Sequence, residues 1–420
     1  MGESRVLPPS HLEVFVQKVL VGTLHRDQYG RTWFLPDEPW SAGGQRPRLG
    51  LSFLRDPSPR TGSSGIPVWF DNLLPEAGSP LRRRICQQTG IRETNTLALL
   101  RELGLDLPGA VEVRGPDVGD IEARGSDVAP GKLRFSLAGL QLKLSMVLSK
   151  DRFALPARGE SGHWIVKIPG DSLPDLPQIE HVTMAWARSM GFVVPRTMVV
   201  PIDVLQGLEP DFLEGPKQVL AVERFDRLPG GGRVHQEDFA QVLEVEAVHK
   251  YADARGRRTS YDLLARQVAD ACGSDARCDF MDRVAFILAS GNGDAHLKNW
   301  SFQWGDDPRP SLSPVYDQVA TVSWPSIDGW DLVGGARLAL ALGQTRRAKD
   351  VDKVRLKTFC KRAGSAGEVD RMLSTLERAR ERWRAVESEA PPSMRQALVE
   401  HWRRVPILRH VGGLDAATKR

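Results

Sequence analysis

Gly291-Asn292-Gly293-Asp294-Ala295-His296-Leu297-Lys298-Asn299 is the stretch on which the reading of this chain turns. It follows an apolar run that ends near Ser290, and its Asp294 and Asn299 stand at the D-x-x-x-x-N spacing of a kinase catalytic loop. In such a loop the aspartate accepts the proton of the acceptor hydroxyl and the asparagine holds a metal ion. Eighteen residues further on, Val315-Tyr316-Asp317 closes an apolar pair on one carboxylate, placed like a second Mg²⁺ ligand. Phosphoryl transfer asks for this kind of set: a base, hard oxygen donors for the cation and a positive charge on the phosphates, a part that Lys298 is placed to play. An Asp and an Asn in a Gly-rich loop also make ordinary turns, and the spacing alone does not choose between the two readings.

Working upstream, Lys167 ends the apolar strand Trp164-Ile165-Val166, the position of a strand lysine that pairs with nucleotide phosphates. Glu180 opens a helix after a Pro-rich connection and is the candidate partner of that lysine, although a surface ion pair fits the same residues. Ala221 to Arg227 leaves a strand for a Gly-rich loop, so the backbone around Glu223-Arg224-Phe225 is placed to meet an adenine; a plain strand end reads the same way. Phe135 to Lys143 is a small-residue turn between strands, the kind that lets backbone N–H groups approach phosphate.

The periodicities predict an α+β fold, a two-lobed protein-kinase-like arrangement with a strand-rich N-terminal part and a helical C-terminal lobe. Residues 13 to 54 carry short β-branched and aromatic runs broken at Gly22, Gly30 and Pro36; helical spacing appears around Trp69 to Pro75, Leu81 to Ile85 and Thr96 to Leu103. Gly115 to Gly131 reads as a linker. Leu142–Leu148 and His163–Ile168 read as strands, Ile179 to Met190 as a helix ended by Gly191, and Thr197–Val200 and Val219–Glu223 as strands. Beyond residue 237 the pattern is almost wholly helical, as in Phe239–Leu243, Tyr261–Ala271, Phe280–Ala289 and Val369–Val386. The expected segments are 12–115, 131–226 and 227–390, with 391–420 an unassigned tail.

Composition narrows the class. With 420 residues, 41% hydrophobic, the chain can bury a large core. There is no run of about 18 apolar residues, and Glu3, Arg5, Glu13 and Lys18 interrupt the first twenty, so neither a membrane span nor a signal peptide is expected. Four scattered cysteines (Cys86, Cys272, Cys278, Cys360) suit a reducing cytoplasm and form neither a disulfide framework nor a zinc knuckle. A net charge of +4 permits contact with nucleic acid without arguing for it. No H-E-x-x-H, G-x-S-x-G or post-strand G-x-G-x-x-G occurs, and Gly125 to Lys132 misses the phosphate-loop spacing by one residue and has Leu133 where Ser or Thr must stand. His235-Gln236-Glu237-Asp238 reads as a helix N-terminus rather than a metal site.

Several strings, in order, resemble the HipA family: Phe70-Asp71-Asn72-Leu73-Leu74-Pro75-Glu76, Ser136 to Gly139 with Gln141 and Lys143, Ala221 to Arg227, His235 to Asp238, Lys250-Tyr251, Asp294 to Asn299 and Tyr316-Asp317. That resemblance spans roughly residues 13 to 350. It implies an ATP- and Mg²⁺-dependent serine/threonine kinase toxin, restrained by a HipB-like DNA-binding antitoxin and contacting DNA only through it, without a membrane. Its implied targets are aminoacyl-tRNA synthetases, that for glutamate above all, whose modification arrests translation and growth. It also implies residue roles. Asp294 and Lys298 would be catalytic, and Asn299 and Asp317 would hold Mg²⁺. Ala138, Gly139, Leu140, Gln141, Leu142, Lys143, Lys167, Glu223, Arg224, Phe225, His296, Asn299, Tyr316 and Asp317 would line the ATP site, and Ser136 would be the autophosphorylation site. A catalytically weak antitoxin-binding co-repressor and a small-molecule kinase are the competing expectations.

Overall fold

The computed structural model describes residues 10–37, 48–62, 65–115, 142–157, 161–170, 173–208, 217–251, 259–305, 307, 309–324 and 337–411. Ser136, Ala138, Gly139, Leu140 and Gln141 lie outside the described residues, as does most of the expected linker. By its contacts the chain forms two compact units, residues 1–174 with 200–248, and residues 175–199 with 249–420.

The first unit begins with an antiparallel sheet in the order β4-β3-β2-β1-β5, made of β1 (Ser10–Val16), β2 (Val19–Arg26), β3 (Thr32–Pro36), β4 (Arg60–Thr61) and β5 (Val111–Arg114). The β1–β2 hairpin turns through Gln17 and Lys18, both at positive φ, the twist a two-residue hairpin loop requires. Leu12, Val14 and Val16, alternating along β1, and Val21 and Leu24 of β2 are buried, as is an aromatic cluster of Phe34, Phe53, Trp69 and Phe70 with ring centroids 4.8 to 6.4 Å apart. Where helical spacing extends the reading to Pro75, only Val68–Asp71 is helical, and the chain turns at Asn72-Leu73 before Pro75.

A second sheet of the same unit holds β6 (Leu142–Ser149), β7 (Arg152–Ala154), β8 (Trp164–Ile168) and β11 (Gln218–Glu223), in the order β7-β6-β8-β11; β9 (Thr197–Pro201) and β10 (Leu205–Gln206) precede β11 in the chain. Every residue of β8 is buried, which is why it reads as a continuous apolar run rather than an alternating one. Four charges buried together tie the two halves of this unit. Arg224 donates to Asp106 and to Asp226, each at 2.9 Å, and Arg227 donates to the same two carboxylates at 2.9 Å. Ser145 of β6 donates to Asp106 at 2.7 Å, and Gly109 N–H to Asp226 at 2.8 Å. Burial pushes the Asp106 and Asp226 carboxyls up, but the two guanidiniums overcome it and hold both below the usual carboxylate range. The cluster is neutral as a set, so losing one member would strand a buried charge at a cost of about 3–5 kcal/mol.

That cluster also explains where the unit ends. The sequence segments divide at 226/227, but the bonds run across that point: Leu51 N–H donates to Glu237 at 2.7 Å, Trp69 Nε1 to Glu237 at 3.3 Å, and Asn72 Nδ2 to the Val245 carbonyl at 2.9 Å. The stretch β12 (His235–Asp238) leads into Asp238, which caps a short helix in a capping box with Gln241. His235 Nε2 meets the Leu49 carbonyl at 2.8 Å, so this stretch is structural.

The second unit is built on the helix Ser274–Ser290, buried on every side from Phe280 onward. The helix Leu176–Ser189 belongs to this unit because Trp186 sits among Phe286, Trp383 and Trp402, with centroids at 5.1, 4.9 and 6.3 Å, and donates from Nε1 to the Ala379 carbonyl at 2.8 Å. Residues 391–411 form two helices, Pro392–Arg404 and Pro406–Val411, packed into the unit; Trp402 Nε1 donates to the Ala289 carbonyl at 2.8 Å. The almost wholly helical expectation is corrected by β13 (Ser301–Trp304), β14 (Ser311–Leu312), β15 (Arg337–Leu342) and β16 (Thr345–Arg347). Leu338-Ala339-Leu340-Ala341-Leu342 uses strong helix formers, but Gly343 and Gln344 at φ 52° and 76° turn it back as a hairpin.

His401 Nε2 meets the Leu288 carbonyl at 2.7 Å, and burial drives this histidine down to about 4, as it does His235. A base whose folded value lies below its unfolded value charges first in the unfolded chain, so stability is lost as pH falls from about 6.5 to about 4, by up to about 3 kcal/mol per histidine. The Asp106 and Asp226 contribution, of opposite origin, is lost only at lower pH. Thermal denaturation across pH 7.5 to 4 is expected to show this slope, and His401→Gln, which keeps a donor for Leu288, to flatten it; an unchanged slope would contradict the assignment.

Candidate active site

The site loop grows out of the C-terminus of the central helix. Gly291 ends that helix at φ 63°, and a Cβ there would lie 2.4 Å from Cγ1 of Val322, so both backbone and space select glycine. Asn292, fully buried, then bridges in two directions: its Oδ1 accepts from Asp294 N–H at 2.9 Å and its Nδ2 donates to Gln318 Oε1 at 3.0 Å. Gln318 Nε2 donates to the Tyr316 carbonyl at 3.1 Å. Gly293 N–H donates to Thr321 Oγ1 at 2.7 Å, and that hydroxyl donates to the Gly291 carbonyl at 3.1 Å. The loop and the segment 316–321 are thereby one hydrogen-bonded body.

After Asp294 the chain makes a 3₁₀ turn, Leu297–Asn299. Tyr261 Oη and Trp300 Nε1 both donate to the Ala295 carbonyl, at 3.0 and 3.3 Å. Asn299 Nδ2 donates to the Asp294 carbonyl at 2.8 Å, which turns its amide oxygen into the atom a cation would take. Tyr316 Oη donates to the Lys298 carbonyl at 3.0 Å and pairs with Ser301 Oγ at 2.5 Å. Asp317 follows at φ 52°, a left-handed conformation that an aspartate tolerates better than most residues and that costs on the order of 1–3 kcal/mol unless the surroundings impose it. The Asp294 side chain is 47% exposed, while Lys298 and Asn299 are buried. Tyr251 Oη donates to Asp294 Oδ1, and His296 Nε2 lies 3.9 Å from the same oxygen.

Asp294, His296, Lys298, Asn299, Tyr316 and Asp317 therefore share one constellation in the second unit. Glu180 belongs to the same unit, buried in the helix Leu176–Ser189. In the first unit Lys143 and Lys167 are direct cross-strand partners of β6 and β8, and both are buried. Leu142 opens β6, half-buried. Glu223 is exposed, Phe225 is half-buried, and the Arg224 guanidinium is committed to the buried cluster, so any contribution of Arg224 to a nucleotide comes through its backbone. Among the described residues no group of three or more His, Cys, Asp or Glu side chains could hold a metal. A cation here would take the Asn299 and Asp317 oxygens and complete its shell from phosphate and water, which is how Mg²⁺ is ordinarily held beside nucleotides. Sequence reasoning missed Asn292, Gln318 and Thr321, and gave Tyr251 no role. Asn292, two residues before the base, is the one with a local signal, an Asx turn.

A protein-family model described as the HipA-like C-terminal domain matches residues 135–391, and one described as the HipA N-terminal domain matches residues 12–114. A Sinorhizobium fredii protein provisionally named a kinase, Y4dM, is 36% identical over 398 residues, covering 90% of this chain and 92% of its own. The Shewanella oneidensis serine/threonine-protein kinase toxin HipA is 30% identical over 299 residues, 62% of this chain and 64% of that one. A solved structure of Shewanella oneidensis HipA with HipB and operator DNA has the same fold, with a TM-score of 0.71 over 95% of this chain and 96% of that one at 23% identity.

Gly291→Ala is expected to cost more than the usual strain of a left-handed alanine, because Val322 must also move; a melting temperature lowered by several degrees with reduced nucleotide-dependent stabilisation checks it. A variant melting like the wild type would contradict the account of the loop.

Proposed function

The chain belongs to the HipA family, whose named relatives include kinases, and from that premise we propose that it transfers the γ-phosphate of Mg²⁺-bound ATP to a serine or threonine hydroxyl of a protein. The observation that supports the reading is the hydrogen-bonded body of loop 291–299 and segment 316–321, which carries the exposed carboxylate of Asp294 together with Asn299 and Asp317. No helix among the described residues is long and apolar enough to cross a membrane.

In this reading Asp294 orients the acceptor hydroxyl and takes its proton as the acceptor oxygen bonds to the γ-phosphorus and the bond to the β-phosphate oxygen breaks, releasing ADP. Asn299 and Asp317 hold Mg²⁺, which when bound neutralises phosphate charge. Lys298 serves the transferring phosphoryl group. Nucleotide binding is assigned to Lys143 and Lys167 for the phosphates, to Leu142 with the residues Ala138, Gly139, Leu140 and Gln141, and to the backbone of Glu223 to Phe225 for the adenine. His296 and Tyr316 hold the loop in shape. Family membership further supports autophosphorylation at Ser136, restraint by a HipB-like antitoxin through which DNA is reached, a cytoplasmic site of action, and an aminoacyl-tRNA synthetase as target, with glutamate's first in line. A phosphate placed near such an enzyme's active site would repel ATP and tRNA.

The wild type with Mg-ATP is expected to carry phosphate on Ser136, read by mass spectrometry, and Asp294→Ala to lower the rate by about 10²–10⁴-fold. Equal phosphate on both proteins would end this proposal.

A further inference from the structure

Tyr251 stands 43 residues before Asp294 in the chain, yet its hydroxyl donates to Oδ1 of that carboxylate. Three further contacts fix it there. The Lys250 carbonyl accepts from Leu297 N–H at 3.2 Å, stitching the backbone beside Tyr251 to the loop. The phenol ring meets the His296 ring edge to face at 5.0 Å, and Lys250 Nζ lies 5.5 Å from its centroid. The loop's backbone is held by Asn292, Tyr261, Trp300 and Thr321, but a half-exposed aspartate side chain keeps two rotatable bonds that those contacts do not reach.

We propose that Tyr251 is a positioning residue for phosphoryl transfer: its hydroxyl, held by the loop itself, fixes the rotamer in which Asp294 meets the acceptor hydroxyl. This rests on the kinase reading above. The geometry favours positioning over a plug that must leave, because the segment carrying Tyr251 is bonded to the same loop through Lys250 and His296 rather than approaching from elsewhere. Since near-attack alignment is sensitive to small displacements, loss of the hydroxyl acts on the maximal rate and not on nucleotide binding.

Tyr251→Phe removes the one oxygen and keeps the ring that packs on His296 and Lys250. In single-turnover labelling of the full chain with γ-labelled ATP and Mg²⁺, this variant is expected to lose about tenfold in maximal rate, with half-saturating ATP and melting temperature unchanged. Asp294→Asn runs beside it as the test of the parent reading. If Asp294→Asn is inactive while Tyr251→Phe equals or exceeds the wild type, the positioning role is overturned and the kinase reading stands; a faster Tyr251→Phe would mark the phenol as a plug. If half-saturating ATP rises with the maximal rate unchanged, the hydroxyl serves nucleotide binding and the proposal is wrong. Labelling that is equal in Asp294→Asn and the wild type sinks both.

Discussion

The chemistry in this protein depends on Asn292. A helix buried on all sides must give way within a few residues to a polar loop, and every backbone group released there needs a partner. One side-chain amide does most of this: it closes the turn onto the Asp294 N–H and reaches Gln318, which in turn holds the Tyr316 carbonyl. Thr321 repeats the device for Gly291 and Gly293. Asp294, Asn299 and Asp317, spread over 24 residues of sequence, are thus carried on one rigid network, and Tyr251 extends it from backbone to side chain.

Charge is handled differently in the two units. In the first, Asp106, Arg224, Asp226 and Arg227 neutralise one another out of water, fastening the N-terminal sheet to β6 and to the segment after β11. The second sheet of that unit sets Lys143 of β6 opposite Lys167 of β8. In the second unit the Asp294 carboxylate stays half exposed while Trp186, Phe286, Trp383 and Trp402 pack inside, providing the core on which the loop is mounted.

What the sequence made legible follows interaction range. Local patterns were read unevenly: the buried strand β8 lies where its apolar residues suggested, whereas the break expected at Gly22 falls inside β2 and the turn comes at Gln17-Lys18. Arg224 illustrates the limit: its neighbours in sequence suggest a nucleotide, whereas Asp106, 118 positions away, takes its side chain. The hairpin 337–347 was hidden because leucine and alanine favour a helix until a turn 343–344 fixes the register, and residues 391–411 looked unassigned because their anchors, Ala289 and Leu288, lie more than a hundred residues upstream. Tyr251 was visible as a residue and invisible as a contact for the same reason.

The central claim is that the Asn299 and Asp317 oxygens of the second unit serve Mg²⁺-dependent nucleotide binding. Calorimetric titration of the full chain with a non-hydrolysable ATP analogue tests it directly. Binding is expected with Mg²⁺ and is expected to weaken strongly both in EDTA and in Asp317→Asn. Nucleotide affinity that ignores the cation and the Asp317 charge, or no affinity at all, would contradict the account.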